Sequence, residues 1–368
     1  MGKPRNAIDK PLLFSVMTLV FVGFLIFSSA SLGLLAREGA SFTSVAVGQI
    51  LIGIFGGGLA LLIATRINYR VYKKYALPLF IFSVCTTLLV FVPSLGFSAG
   101  GATRWIDLGF TTFQPAELLK LAFVIYLATL LSSNSANLHS FRTGVLPLVV
   151  LSVIVGIVLL LQPDTGTFLV ILATGISMFI AAGARWRDIA GLVGIVIAGL
   201  SVLVLVRPYV MDRILTFLNP SSDPLGSGYQ IQQSLIAIGS GHIFGRGFGQ
   251  SVQKFDYLPE PMGDSIFAVF AEEFGFLGAF LLLSLFLFFV FRGLKIASNA
   301  PDQFSGLLTV GIVILIISQS FINIGSLIGI FPLTGLPLLF VSHGGTALFF
   351  ALVGVGIVLN ISRFRKLT

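Results

Sequence analysis

Long apolar runs alternate with short polar or basic interruptions along almost the whole chain. A hydrocarbon core about 30 Å thick takes roughly 20 apolar residues per helix. Ten runs approach or exceed that length, at 11–35, 43–65, 75–96, 114–132, 144–161, 165–183, 188–206, 265–291, 305–329 and 343–362. The pattern predicts an all-α polytopic membrane protein of about ten transmembrane helices, with 1–368 as one integral membrane domain. The first run follows Lys3, Arg5 and Lys10 and could pass for a signal peptide. Its 25 residues exceed an export signal's apolar core of about 7–15, so it counts as a span.

One interruption is unlike the rest. Residues 207–264 form a 58-residue segment between spans seven and eight, far longer than an ordinary connection. It holds apolar stretches, ILTFL (214–218) and YQIQQSLIAIG (229–239), and the second has helical spacing with one amide-rich face. A short helix lying at the interface is expected there. The Gly-dense GSGHIFGRGFGQ (239–250) is suited to bring backbone N–H groups close to a ligand, although a plain flexible loop accounts for it equally well.

Composition agrees with the periodicity. Hydrophobic residues make up 56% and charged residues 10%, against about 25% charged in soluble domains. The single Cys, Cys85, excludes an intrachain disulfide. A net charge of +8 could suggest nucleic acid, but the cations are dispersed in short clusters between apolar runs and no nucleic-acid partner is expected. They report topology instead, because Lys and Arg accumulate on cytoplasmic loops. The termini and alternate loops hold 15 Lys and Arg with Asp9, Asp188 and Asp302, a net of +12. The opposite set holds Arg37, Arg104, Arg207, Arg213, Arg246 and Lys254 against Glu38, Asp107, Asp164, Asp212, Asp223, Asp256, Glu260 and Asp264, a net of −2. Both termini are therefore expected in the cytoplasm, with the long segment outside.

Charges inside spans are costly and usually face a cavity or a partner. Glu117 and Lys120, three apart in span four, share a helical face and can form a structural ion pair. Glu272 and Glu273 lie about 12 Å into span eight, at 1.5 Å per residue. Three carboxylates and one ammonium do not balance, so at least one Glu is expected to be protonated, hydrogen-bonded, or reached by water or a loop Arg. TFQPAELLK (112–120), LQPDTGT (161–167) and FPLTGLPLLFVSHGGTA (331–347) place further polar residues at the outer ends of spans. Pro115 and Pro163 read as helix starts. Gln114, Asp164, Thr167, Thr334, Ser342 and His343, with Gln233 of the long segment, predict a cavity opening outward.

The centre of the pattern is QKFDYLPEPMGDSIFAVFAEEFG (253–275), polar and irregular up to Asp264 and apolar helix from Ser265. A carboxylate at that junction can meet a substrate with a wet head and a greasy tail. An Asp before an apolar helix is also a good N-cap, and the two roles make opposite demands: capping N–H groups lower its pKa, desolvation raises it.

GATRWIDLGFTTFQPAELLKL (101–121), LQPDTGT, RILTFLNP (213–220), GYQIQQSLIAIGSGHIFGRGFGQS (228–251), LPEPMGDSIFAVFAEEFG (258–275) and LTGLPLLFVSHGGTA (333–347) occur in one order and together resemble the FtsW/RodA/SpoVE family of SEDS glycosyltransferases. The resemblance runs from about residue 10 to 365. It implies a ten-span peptidoglycan polymerase of the bacterial cytoplasmic membrane. Such an enzyme joins lipid II, a lipid-pyrophosphate-linked disaccharide-pentapeptide, on the outer face, in complex with a class B penicillin-binding protein and other divisome or elongasome proteins. It also implies that Asp264 is the essential aspartate and that Glu117 and Lys120 are the buried pair. Many relatives carry His-Thr or His-Asn where this chain has Met262 and Gly263, and Ser-Tyr-Gly-Gly where it has Ser342 to Gly345. These stretches incline the subtype towards division.

Polymerisation needs a base for the acceptor hydroxyl and a cation for the pyrophosphate. Asp264 is the base candidate. Arg104, Arg213, Arg246 and Lys254, with Glu260 beside them, are the pyrophosphate-side candidates, although each cation would equally suit lipid phosphate. No cofactor is assigned with certainty, and a divalent cation, Mg²⁺ or Mn²⁺, is the one the chemistry leaves room for. A precursor flippase or a non-catalytic scaffold for the transpeptidase are the competing functions. The first predicts inverted repeats, which are not evident. The second leaves the outer cluster of Asp264, Glu260 and cations without a purpose.

Overall fold

The computed structural model describes residues 7–35, 48–99, 101–109, 111–133, 140–223, 226–255 and 257–365. Lys3, Arg5, Arg37, Glu38, Asp256 and the first residues of the second expected span lie outside them. Helix α1 (Lys10–Leu35) is followed by a π-helical stretch, Gly48–Gly56, that runs into α2 (Gly57–Arg66). Next come α3 (Tyr69–Lys74) and α4 (Ala76–Leu88), then strands β1 (Gly96–Ala99), β2 (Ala102–Asp107) and β3 (Thr112–Phe113). Helices α5 (Pro115–Ser133), α6 (Val145–Leu161), α7 (Thr165–Ala181) and α8 (Trp186–Val206) precede α9 (Pro208–Leu218) and α10 (Ser227–Ser240). The chain closes with α11 (Ile266–Ser298), α12 (Gln303–Leu327) and α13 (Gly345–Ser362).

Seven helical stretches are long and apolar enough to cross a membrane, and Ala76–Phe91, Val145–Leu161 and Thr165–Ala181 are shorter apolar helices at the third, fifth and sixth expected spans. The chain is thus a multi-pass, predominantly α-helical membrane protein. Helices α5, α12 and α13 form the enclosed centre, whereas α8 is almost entirely peripheral. At the Lys/Arg-rich end, buried Asp9 accepts from Arg292 Nη2 (2.6 Å) and Arg365 Nη1 (2.9 Å), joining both chain ends to α11.

Three features depart from the apolar pattern. A small antiparallel sheet of order β1-β2-β3 precedes α5, with Phe97 opposite Trp105. The sequence reading, all-α, contained no strands there. The 58-residue segment folds into two helices rather than one. Helix α10 buries Gly228, Ile231, Ser234 and Ala237 and packs against α11, leaving Leu235 and Ile236 exposed on its other face. Finally, α11 is broken at Gly275 (φ 65°, ψ −165°), inside what the sequence presents as one continuous span.

The loop between α10 and α11 repairs that break. The freed carbonyls of Glu272 and Glu273 accept from Arg246 N (3.0 Å) and Gly247 N (2.9 Å), while Phe276 N and Leu277 N donate to His242 O (2.8 Å) and Ile243 O (3.0 Å). A Cβ at Gly275 would lie 2.3 Å from Gly245 N and 2.6 Å from Ile243 O, so only Gly admits this approach. Broken backbone at membrane depth persists only where protein satisfies it. The Gly-dense loop therefore presents its N–H groups to α11, not to a ligand, which corrects the expectation for residues 239–250. Ile243, Phe244 and Phe248 project outward from the loop as exposed apolar side chains, as a lipid-embedded loop requires.

Candidate active site

Helix α11 starts at Ile266 with Ser265 at the cap position and no side-chain cap bond. Asp264 is thus left out of the capping role, and its carboxylate serves elsewhere. Its Oδ1 accepts from Gln230 Nε2 on α10 (3.1 Å), an amide that also donates to Ser265 Oγ (2.9 Å). Gly335 of the segment before α13 faces the other oxygen, a Cβ there lying 3.9 Å from Oδ2. The side chain is half-buried, closed in by protein and open on one side. Burial first, and the Glu260 carboxylate second, push its pKa up to about 6, against the lowering effect of Gln230.

Glu260 stands on a turn with φ 46°, and its carbonyl takes Gly263 N (3.0 Å) and Ser265 N (3.3 Å). The turn thereby aims two carboxylates at one region. Their mutual repulsion adds to the larger effect of burial in keeping Asp264 basic.

Beneath Asp264 runs a chain of polar side chains through the apolar centre. Asn323 Nδ2 of α12 donates to Asp264 O and Leu336 O, both at 2.7 Å. One turn away, Gln319 Nε2 donates to Pro337 O (3.1 Å), and Gln319 Oε1 accepts from Lys120 Nζ (2.5 Å). Lys120 Nζ also reaches Glu117 Oε1 (2.8 Å), so the pair on α5 is real and buried. It is a support. Through Gln319 it holds the backbone at Pro337, while Asn323 separately holds Leu336 and the carbonyl of Asp264.

The cations divide into two kinds. Arg104 on β2 lies against the corner between α6 and α7, donating through Nε to Gln162 O (3.3 Å) and through Nη2 to Pro163 O. Arg213 on α9 is half-buried; burial and the nearby Arg104 charge lower its pKa, while Tyr209, Asp164 and Asp264 raise it. Arg213 therefore feels the charges of Arg104, Tyr209, Asp164 and Asp264. Tyr209 is raised in turn by burial, with Arg213, Arg207 and Arg104 opposing. Asp164 caps α7 through Thr167 N (3.1 Å), and its Oδ2 has no hydrogen-bond partner. Thr334 Oγ1 and Asn323 Oδ1 are likewise buried and unpartnered, with Thr334 packed where a Gly166 Cβ would be 3.0 Å away. An apolar cavity of about 370 Å³ between α6, α7 and α8 ends at Leu160 and Val206, next to this cation group.

Lys254 is of the other kind, and its burial overturns its assignment to the pyrophosphate, whereas the Arg246 side chain stays exposed beside Glu272. Lys254 is fully buried, with Nζ bound to Glu273 Oε1 (2.9 Å), Gly249 O (2.8 Å) and Ser29 Oγ (3.0 Å). No ligand phosphate can reach it. Glu272 accepts from Ser251 Oγ (2.6 Å), Val252 N (3.1 Å) and Gln253 N (3.2 Å), with Arg246 Nε at 3.5 Å. Both glutamates are neutralised by the loop that bridges the break in α11, because charges at that depth need partners.

Of the remaining candidates, Ser342 Oγ accepts from Leu338 N (2.8 Å) and shapes the turn before α13. His343 donates its backbone N–H to Met262 O (2.7 Å) and stacks its ring on Phe27. Both act on the backbone around Asp264. Gln114 closes β3 at the entry to α5, its carbonyl accepting from Glu117 N (3.2 Å). Gln233 is half-buried one turn beyond Gln230. The amide that meets Asp264 is Gln230, and Gln230, Asn323, Gln319 and Tyr209 were absent from the sequence-derived set. Gln319 and Asn323 did leave a trace, as polar residues four apart in an apolar run.

Among the described residues, no three His, Cys, Asp or Glu side chains converge as metal ligands.

A carboxylate raised in basicity, an arginine that feels its charge and an apolar groove between α6, α7 and α8 are the parts of a membrane-embedded enzyme site. The chain belongs to the FtsW/RodA/SpoVE family of cell cycle proteins, whose model matches residues 10–367. It is 41% identical over 312 residues to stage V sporulation protein E of Bacillus subtilis (strain 168), covering 84% of this chain and 85% of that protein. It is 38% identical over 357 residues to the probable peptidoglycan glycosyltransferase FtsW of Geobacter sp. (strain M18), 96% of each. A chain in a solved peptidoglycan synthase complex that coordinates polymerization and crosslinking superposes with a TM-score of 0.79 at 30% identity, covering 98% of both. The rod shape determining protein RodA of Thermus thermophilus gives 0.70 at 27% identity, covering 98% of this chain and 99% of that one.

Proposed function

We propose that this chain is a peptidoglycan glycosyltransferase that polymerises lipid II, with Asp264 as general base. The observation that carries the assignment of the base is the environment of Asp264: neutral donors only (the Gln230 amide, its own backbone N–H and the Ser265 hydroxyl), no cap bond and a pKa that burial and Glu260 still push up to about 6. A base is most effective with its pKa near the working pH. The acceptor sugar's hydroxyl oxygen attacks the anomeric carbon of the donor, the bond from that carbon to the lipid pyrophosphate breaks, and the hydroxyl proton passes to Asp264. Arg213 and Arg104 stand on the side where the pyrophosphate charge develops, and the groove between α6, α7 and α8 suits its polyprenyl tail. The excess of Lys and Arg at the opposite end supports cytoplasmic termini, with this site on the outer face. The superposition on a chain from a polymerising and crosslinking complex supports a transpeptidase of the class B penicillin-binding type as partner.

The test is glycan-strand formation from lipid II by the purified protein with its transpeptidase, wild type against Asp264→Asn, with lipid II binding measured alongside. Removal of a general base is expected to cost about 10²- to 10⁴-fold, with binding retained. Near-normal strands from the variant would reject the assignment. Because the folded-state pKa of Asp264 exceeds its usual value of 3.8, ionising it costs stability as pH rises from about 4 to 6. Asp264→Asn should consequently be the more thermostable protein at pH 8 and lose that advantage at pH 4.

A further inference from the structure

At the Lys/Arg-rich end of the bundle, α3 supplies Arg70, Lys73 and Lys74 to the wall of a cavity of about 530 Å³. Ser132 at the end of α5 and Gln303 and Phe304 at the start of α12 complete it. All three cations are exposed, and among the described residues none forms an ion pair with a carboxylate. Each is laid instead against an aromatic ring: Arg70 over Tyr69 (5.7 Å), Lys73 over Phe304 (5.5 Å) and Lys74 over Tyr75 (5.4 Å). Rings fix the long side chains without neutralising them.

The one acid in the wall is already engaged. Asp302 caps α12 through Ser305 N (2.8 Å) and accepts from Tyr69 Oη (2.6 Å), bonds that lower its pKa although burial opposes them. The cavity therefore holds three oriented positive charges against one carboxylate, which feels Arg70 and whose oxygens are already hydrogen-bonded, leaving an excess of positive charge. Across Asp302 and Gln303 lies a second cavity of about 460 Å³ with Leu294, Ala297, Leu307 and Val310 in its wall, and Tyr75, Leu77 and Ile81 present exposed apolar surface beside α3. A charged lobe next to apolar surface matches a ligand that carries both a phosphate and acyl chains.

We propose that the α3 cavity binds the phosphate headgroup of an anionic phospholipid of the inner leaflet, which would tie α3, α5 and α12 together at the end of the bundle opposite Asp264. Basic pockets between helices on the cytoplasmic side have this chemistry, with each Lys or Arg near the surface contributing about fivefold in affinity. The site stands apart from the glycosyltransferase reading and does not depend on it.

Native mass spectrometry of the purified protein in mixed micelles tests this, with dioleoylphosphatidylglycerol and dioleoylphosphatidylcholine as probes and apparent Tm as a second readout. Wild type is expected to retain phosphatidylglycerol selectively and to gain Tm from it. The triple variant Arg70→Gln, Lys73→Gln, Lys74→Gln should lose affinity by on the order of 100-fold, and Lys73→Gln with Lys74→Gln alone by about 25-fold. Lys73→Arg with Lys74→Arg should keep it, and so should Arg185→Gln with Arg187→Gln, which removes two cations from the same end of the bundle. Equal retention of both lipids by wild type would overturn the proposal. So would an equal loss in the Arg185/Arg187 variant, or full replacement of the lipid effect by millimolar inorganic phosphate. Unchanged apparent Tm of the double α3 variant in phosphatidylcholine separates loss of binding from loss of fold.

Discussion

Asp264 and the Glu272/Glu273 pair stand eight residues apart on either side of the start of α11, and their surroundings are opposite. The glutamates are fully buried and receive a lysine, an arginine, serine hydroxyls and backbone N–H groups. Asp264 is half-buried and receives neutral donors only, with Gln230 foremost and no cation bonded to it, and has another carboxylate as neighbour. A buried carboxylate bonded to cations and loop donors acts as a fastener, whereas Asp264, enclosed with neutral donors beside a second carboxylate, is kept ready to take a proton. The cations repeat the contrast. Lys254 is consumed by Glu273, and Arg213 feels the charges of Asp264, Asp164 and Arg104.

The sharpest way to break this comparison is to exchange effects between the two sites. Asp264→Asn should abolish strand formation without unfolding the protein, as set out above. Lys254→Met should do the reverse. Breaking a buried pair by removing one partner costs about 3–5 kcal/mol, so the expected result is a large fall in apparent Tm and in folded yield, with folded molecules still binding lipid II. If Lys254→Met instead folds normally and loses activity alone, the fastener role of that pair is wrong.

Arg213→Gln is the next largest. Loss of one positioned charge stabiliser costs about 10²- to 10³-fold in turnover, and the effect should appear in kcat for lipid II with apparent Tm nearly unchanged. An equal effect from Arg246→Gln would mean that Arg213 is not distinct among the outer cations. The smallest effect is expected at Glu260. Activity should fall as pH drops through about 6, when Asp264 takes up its proton. Glu260→Gln removes a carboxylate that raises that pKa, so the acid limb of the pH profile should move to lower pH by a fraction of a unit. A limb that does not move would mean that burial alone sets the basicity of Asp264.

Much of this was legible before any coordinates. The ten apolar stretches each contain a helix, and Asp264 was conspicuous as the last polar residue before a long apolar run. Glu117 and Lys120 were correctly paired because both lie on one helix, where spacing of three defines the face. What stayed illegible shares a cause. Gln233 and Gln230 sit on the same amide-rich face of α10, and only the packing of Ile231, Ser234 and Ala237 on α11 decides which turn meets Asp264. Arg246 and Lys254 looked like free outer cations because the loop that carries them is polar and Gly-rich. In fact it returns along α11 and fills the break at Gly275.

From the sequence alone the membrane class, the number of apolar helices and the basic character of alternate loops were determined, because charge and unsatisfied backbone are so costly in hydrocarbon that the pattern has little freedom. The tertiary structure decided which charges cancel and which remain active. A sequence records the sign of each side chain, but the energy of a charge depends on distance and enclosure, and those exist only after α1, α10, α11 and α12 have come together.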